Sequence, residues 1–216
     1  MLEQTRVHLR LGKSGSQPVY ATAGSAGCDL IAAVPLVLRP GECRVLPLDL
    51  VMAIEPGVEA QIRPRSGLSL RMELRVPNSP GTIDSDYRQE VGVILQNTFS
   101  LSHLAEQILI SPQLAIDLAA RCRRVPLADY LRQGDQTADG AAARAAAVLE
   151  NQLPEIGRQM IYLDEQGNPW GTLYIRPGDR IAQMVFARYL QGCFIEHPEP
   201  ENIGQNRGGG FGSTGG

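Results

Sequence analysis

Aromatic residues are scarce: Phe, Trp and Tyr fill 5% of the 216 positions. That shortage speaks against the rows of stacked rings with which single-stranded nucleic acid is held without regard to sequence. A basic excess is missing too. The formal charge is −3, whereas a surface that tracks a phosphate backbone needs the opposite sign. A small anionic substrate needs only a few local cations and stays compatible with this balance. The four cysteines, Cys28, Cys43, Cys122 and Cys193, form no CxxC pair and have no zinc-type spacing to the three histidines. They read as structural or incidental thiols. No run approaches the roughly 20 apolar residues of a membrane helix. Met1 to His8 lacks the apolar block of a signal peptide. No internal repeat is visible. The expectation is a soluble, cytoplasmic protein with no nucleic-acid and no membrane partner.

What is present is a core-forming share of apolar residues, 43%, enough for one large domain or one domain with an insertion. The first hundred residues read as short strands between turns. Arg6 to Leu11 alternates apolar and polar residues, as do Val91, Val93 and Leu95, the period of a half-buried strand. Pro35, Pro40-Gly41, Pro47, Pro56-Gly57 and Pro80-Gly81 punctuate this part at intervals that suit a sandwich or barrel. Ile181 to Leu190 resumes the strand character.

Between Asn97 and about Gly171 the texture changes. Leu101 to Ile110, Pro112 to Arg124 and Ala138 to Leu153 are rich in strong helix formers. Ser111-Pro112 suits a helix start, with Ser111 capping and Pro112 at the first helical position. Gly134-Asp135-Gln136 reads as a turn between helices. Met160 to Leu163 and Thr172 to Ile175, around Gly167-Asn168-Pro169, suggest a hairpin. The parse is a β core over 1–97 and 172–195, a mainly helical insertion over 98–171 and a C-terminal arm over 196–216. The arm is polar and then glycine-rich, so it cannot bury a core and is expected to be flexible unless a ligand orders it. Extended, it would reach on the order of 70 Å.

Five short segments carry chemistry. In Gly81-Thr82-Ile83-Asp84-Ser85-Asp86-Tyr87-Arg88, two carboxylates and a phenol ring stand at the head of an alternating run. An isolated Asp-Ser-Asp is most often a polar turn; on a continuing strand, Asp84 and Asp86 would face one side. Asn78 precedes them, so an amide with both donor and acceptor lies close to a carboxylate able to act as a base. Pro64-Arg65-Ser66-Gly67-Leu68-Ser69 offers a guanidinium, hydroxyls and a glycine that permits close backbone approach, which suits phosphate oxygens, although the composition is common in loops. Ala26-Gly27-Cys28-Asp29-Leu30 and Gly178-Asp179-Arg180-Ile181-Ala182-Gln183 are weaker, and Asp179 and Arg180 read as a surface pair worth little. Arg207 to Gly215 joins one arginine, one ring and two hydroxyls to a glycine run that would otherwise pass for a linker.

In this order the five segments resemble the motifs of the trimeric dUTPase family, from about Ala26 to the C-terminus apart from the insertion. The resemblance implies a mainly β, jelly-roll (β-clip) core, a homotrimer with active sites between subunits, and hydrolysis of dUTP to dUMP and pyrophosphate. That reaction limits uracil in DNA and supplies dUMP for dTMP synthesis. By the same resemblance, Asp29 helps position the catalytic aspartate and the metal-bound nucleotide, while Arg65, Ser66 and Gly67 meet phosphates. Asn78, with the backbone of Gly81, Thr82 and Ile83, reads the uracil edge. Asp84 activates water, and Tyr87 packs on the deoxyribose and leaves no room for a ribose 2′-hydroxyl. Gln183 contacts phosphate, as do Arg207, Ser213 and Thr214; Phe211, next to Gly212, closes over uracil. Mg²⁺ is expected on the substrate phosphates and waters, with no protein ligand beyond a contact through Asp29.

Three departures from the family pattern stand out. Gln89 replaces the usual glycine after the Tyr-Arg pair, the tail has one residue fewer between Arg207 and Phe211, and segment 98–171 replaces a short hairpin. That segment has no catalytic signature. It is open to two readings, subunit contacts or, as in some phage dUTPases that it resembles, engagement of another protein. Two other functions remain open: a dCTP deaminase, alone or combined with the dUTPase, and a dUTP-responsive regulatory binding protein acting through the insertion.

Overall fold

Alternation of apolar and polar residues builds two facing sheets. The computed structural model describes residues 3–133 and 140–205. Its first half runs β1 (Val7–Leu11), β2 (Val19–Tyr20), β3 (Cys28–Ile31), β4 (Leu36–Leu38), β5 (Cys43–Ile54), β6 (Val58–Arg63), α1 (Ser66–Arg71), β7 (Leu74–Arg75), β8 (Gly81–Ile83) and β9 (Glu90–Asn97). A 3₁₀ turn at Leu101–His103 leads into α2 (Leu104–Ile110), α3 (Gln113–Arg121), β10 (Arg123–Pro126), α4 (Leu127–Gln133), α5 (Ala141–Asn151), α6 (Pro154–Gly157) and β11 (Met160–Leu163). The chain then returns through β12 (Leu173–Ile175) and β13 (Arg180–Arg188).

One sheet has the order β1-β5-β9-β7, the other β2-β3-β13-β6-β8, and β12 pairs with β4 alone. Leu46, Leu48, Leu50, Val91, Val93 and Leu95 of the first sheet share a core with Leu30, Ala60, Ile62, Ile83, Ala182 and Met184 of the second. These are the every-second residues of their strands, so each sheet turns one face inward. The fold is mainly β, as the sequence suggested.

The segment between β9 and β12 is closed at its base by one side chain. Asn97 is wholly buried. Its Nδ2 donates to Leu38 O at 2.9 Å and to Gly171 O at 2.8 Å, and its Oδ1 accepts from Phe99 N at 3.0 Å. Gly171 has φ +89°, and a Cβ there would meet the Phe99 ring at 2.3 Å, so only glycine fits.

Several sequence expectations change here. Met160–Leu163 and Leu173–Ile175 do not form a hairpin: β11 pairs with β10 and β12 with β4. Arg123 and Arg124 leave the expected helix for β10, and α4 follows where no helix was expected. Pro112 is the N-cap of α3 with no side-chain cap bond, so Ser111 does not cap it. Pro64 to Ser69 is not a plain loop, since α1 begins at Ser66. β8 ends at Ile83, so Asp84 and Asp86 sit in a turn rather than on one face of a strand. The turn expected at Gly134-Asp135-Gln136 lies outside the described residues.

Candidate functional site

Register across β3, β13 and β6 gathers the first group of predicted side chains. Gln183 pairs with Asp29 on one side and with Arg63 on the other. Their neighbours Leu30, Ala182, Met184 and Ile62 fill the core, so alternation sends Asp29 and Gln183 to the outer face. The Asp29 carboxylate is bridged by two guanidiniums, Arg65 Nε at 2.9 Å and Arg180 Nη1 at 3.3 Å. Arg65 also donates from Nη1 to Arg180 O at 3.2 Å, and Gln183 Nε2 donates to Pro64 O at 3.1 Å. Gly27 lets the amide lie close, because a Cβ there would come within 2.9 Å of Gln183 Oε1. Two cations share one anion, so the cluster retains positive charge for a further anion. A cavity of about 350 Å³ adjoins it, lined by Arg65, Leu68, Met72, Tyr174, Asp179 and Arg180 among others.

Arg180 is the residue that the sequence reading undervalued. It pairs with Asp29, whereas Asp179 accepts from the Arg176 backbone N at 2.7 Å. Adjacency in sequence suggested the wrong partner. No local signal marked it: strict alternation would set Arg180 on the side of Ala182 and Met184, and a register shift between Arg180 and Ala182 turns it outward to Asp29.

The second group lies around β8. The Asn78 amide is packed over Gly81, where a Cβ would meet Nδ2 at 2.8 Å. Gly81 and Ile83 are buried and Thr82 is exposed. The turn after Ile83 closes through Tyr87 N to Asp84 O at 3.1 Å. Arg88 Nη1 fixes it from outside, donating to Ser85 O at 2.7 Å and Tyr87 O at 2.8 Å. Tyr87 itself donates to Glu90 O at 2.9 Å. Asp84 is exposed and its carboxylate has no partner among the described residues. Gln89 has no positive φ, so its turn does not require the glycine it replaces.

The two groups stand apart within one chain. Ile83 pairs with Ala60 and Gly81 with Ile62, so Asp84 lies near the Val58 end of β6 and Arg65 beyond the other. By this register Asp84 is level with Glu59, six residue steps of extended chain from Arg65, roughly 20 Å. Arg207, Phe211, Gly212, Ser213 and Thr214 lie outside the described residues. Among the described residues, no three His, Cys, Asp or Glu side chains gather as a metal-ligand set, and no helix is long and apolar enough to cross a membrane. The described cysteines are all free. Burial pushes the Cys28 thiol up, and it donates to Met184 O at 3.4 Å.

By class, then, this is a two-sheet β protein with an anion-receptive cluster at the end of one sheet and a free carboxylate at a distant turn. A family model described as dUTPase matches residues 13–101. The chain is 46% identical over 119 residues to a deoxyuridine 5'-triphosphate nucleotidohydrolase of Anaeromyxobacter sp. (strain Fw109-5), covering 51% of this chain and 81% of that protein. Among solved structures, the Staphylococcus bacteriophage 80alpha dUTPase with dUpNHpp is similar in fold, with a TM-score of 0.64 at 20% identity, covering 97% of this chain and 98% of that one. A mutant dUTPase from phage phi11 of S. aureus, in which a structural Mg(II) ion is coordinated, has a TM-score of 0.59 at 19% identity and covers 90% and 97%. The chain belongs to the dUTPase family.

Proposed function

We propose that the protein hydrolyses dUTP to dUMP and pyrophosphate, with Asp84 as the base that activates water for in-line attack on the α-phosphorus. The observation that carries this reading is the contrast between two aspartates. Asp29 has both carboxylate oxygens engaged by guanidiniums, which suits a positioning role. Asp84 is exposed and without a partner among the described residues, which leaves it able to take a proton from water. Arg65, with Ser66, Gly67 and Gln183, supplies phosphate contacts. Asn78 and the Gly81–Ile83 backbone supply the uracil edge, and Tyr87 the surface for the sugar. Arg207, Phe211, Gly212, Ser213 and Thr214 complete the site from the arm.

Mg²⁺ fits this donor set as a partner of the substrate phosphates, since both Asp29 oxygens are already engaged by guanidiniums. Bound there, it neutralises charge on the phosphate oxygens. The chain's own residues position the nucleotide and hold the proton acceptor, and positioning with charge stabilisation carries most of the rate in phosphoryl transfer.

A triphosphate gripped by Arg65 cannot place its α-phosphorus beside an Asp84 roughly 20 Å away on the same chain. We therefore assign Asp84 and the Asp29–Arg65–Gln183 group of one working site to different copies of the chain. The test is pyrophosphate release from dUTP, dTTP, dCTP and UTP with Mg²⁺. Wild type should turn over dUTP selectively, and Asp84→Asn should lose on the order of 10³-fold or more in kcat while still binding. Ammonia released from dCTP would point to the deaminase instead. Binding of dUTP without turnover by wild type would sink the hydrolase reading in favour of a regulatory one.

A further inference from the structure

Asp49 is the one non-glycine residue with positive φ among the described residues, at +51°. It sits in the middle of β5, where the register to β9 jumps: Pro47 pairs with Gly92 and Val51 with Glu90. Residues 48–50 of one strand thus face Val91 alone. A left-handed residue persists where its surroundings over-determine it, and such positions cluster near working sites. Here the surroundings are explicit. Asp49 O accepts from Gly12 N at 2.8 Å, and Asp49 Oδ2 accepts from Ser14 N at 2.8 Å. Asp49 N donates to Glu90 Oε1 at 2.8 Å. A Cβ at Gly12 would fall 1.8 Å from Asp49 Oδ1, so the loop after β1 is shaped around this side chain.

Glu90 carries the connection onward. Its carboxylate holds the Asp49 N–H, and its carbonyl holds the Tyr87 hydroxyl at 2.9 Å. One hydrogen-bonded line therefore runs from residues 12–14 through Asp49 and Glu90 to the ring assigned to the deoxyribose. We propose that Asp49 and Glu90 are positioning residues that set Tyr87 and thereby the discrimination between deoxyribose and ribose. This rests on the hydrolase reading above. Without the Glu90 carboxylate, the Asp49 N–H loses its acceptor and the β5 bulge loosens beside Glu90, whose backbone carbonyl still accepts from Tyr87 but is held less firmly in place. A ring that can move aside admits a 2′-hydroxyl.

The test compares wild type with Glu90→Ala, Glu90→Gln and Tyr87→Phe on dUTP and UTP. Glu90→Gln keeps an acceptor oxygen and should behave as wild type. Glu90→Ala and Tyr87→Phe should raise KM for dUTP by on the order of tenfold, change kcat far less, and lower the preference for dUTP over UTP. A second readout needs no catalysis. Lys13 is the only lysine of the chain and is exposed, so a lysine-specific protease cuts at one place, and Asp49→Ala should speed that cut several-fold. Wild-type turnover of dUTP with an unchanged KM and preference in Glu90→Ala would overturn the positioning role and leave the hydrolase reading intact. Equal losses on both nucleotides, or failure of Glu90→Gln to restore selectivity, would overturn it too. A wild type inactive on dUTP would remove both.

Discussion

A carboxylate's neighbours decide what it can do. Asp29 has two guanidiniums within 3.3 Å, so its loss strands two partly ordered cations, whereas Asp84 has no partner to strand among the described residues. Asp84→Asn is accordingly expected to leave the melting temperature within about a degree, since exposed, unpartnered substitutions change stability little, while removing turnover. A thermal melt run beside the assay checks both. Tyr174 gives a pH signature. Burial, and then the hydrogen bond it donates to Asp164, push its phenol up from 10.0 to about 12. The folded state thus favours the protonated ring. That contribution is full below pH 10 and is lost as pH rises from about 10 through about 12. Denaturant unfolding of wild type and Tyr174→Phe across pH 8.5 to 12, on the order of the range a phenol titrates, should show the alkaline decline reduced in the variant. Residue types and spacing were enough to nominate Asp84, Asn78, Arg65 and Gln183 as candidates. The Arg180 partner was not legible, because the true partner lies across the sheet and a register shift turns the side chain toward it.

Elements depend on where their polar ends go. The helical stretch leaves β9 and rejoins at β12 through the Asn97 amide, whose three hydrogen bonds hold Leu38, Phe99 and Gly171 together. Asn97→Ala would leave buried backbone groups unpaired, at a cost of about 2–3 kcal/mol, read as a shift of the urea midpoint with an unchanged slope. Joining the chain across this base is the corresponding element-scale test. Replacing residues 98–171 by a short turn should leave the two sheets folded, with far-UV dichroism losing its helical part and keeping its strand part. Composition made α5 legible, because alanine-rich sequence favours helix on its own. It misjudged β10, since Arg123-Arg124-Val125-Pro126 becomes a strand by pairing with β11, and a two-stranded pairing has no local signature. The expected hairpin failed for the same reason: β12 found its partner in β4, far back in the sequence.

At the scale of the whole molecule, the separation of Asp84 from Arg65 makes a firm demand. Neither the Asp84→Asn nor the Arg65→Ala protein should hydrolyse dUTP alone. Mixed and reassembled, they should regain a fraction of wild-type activity, because some sites then draw Asp84 from one copy and Arg65 from another. No recovery, despite exchange of subunits shown by mass, would restrict the site to a single chain. Exposed Leu190, Phe194 and Ile195 after β13 are apolar surface of the kind that association covers. The alternating strands and the helical texture of the middle segment could be read from the chain alone, because periodicity and propensity are local properties, and residue type there nominated the five motifs. Long-range pairing had to be seen in the fold: which strands pair, that Arg180 shares Asp29 with Arg65, that Asn97 closes the base of the helical segment, and that Asp84 lies near the opposite end of β6 from Arg65. Those facts depend on register between residues distant in sequence, and register is fixed by the packing of the two sheets on one core.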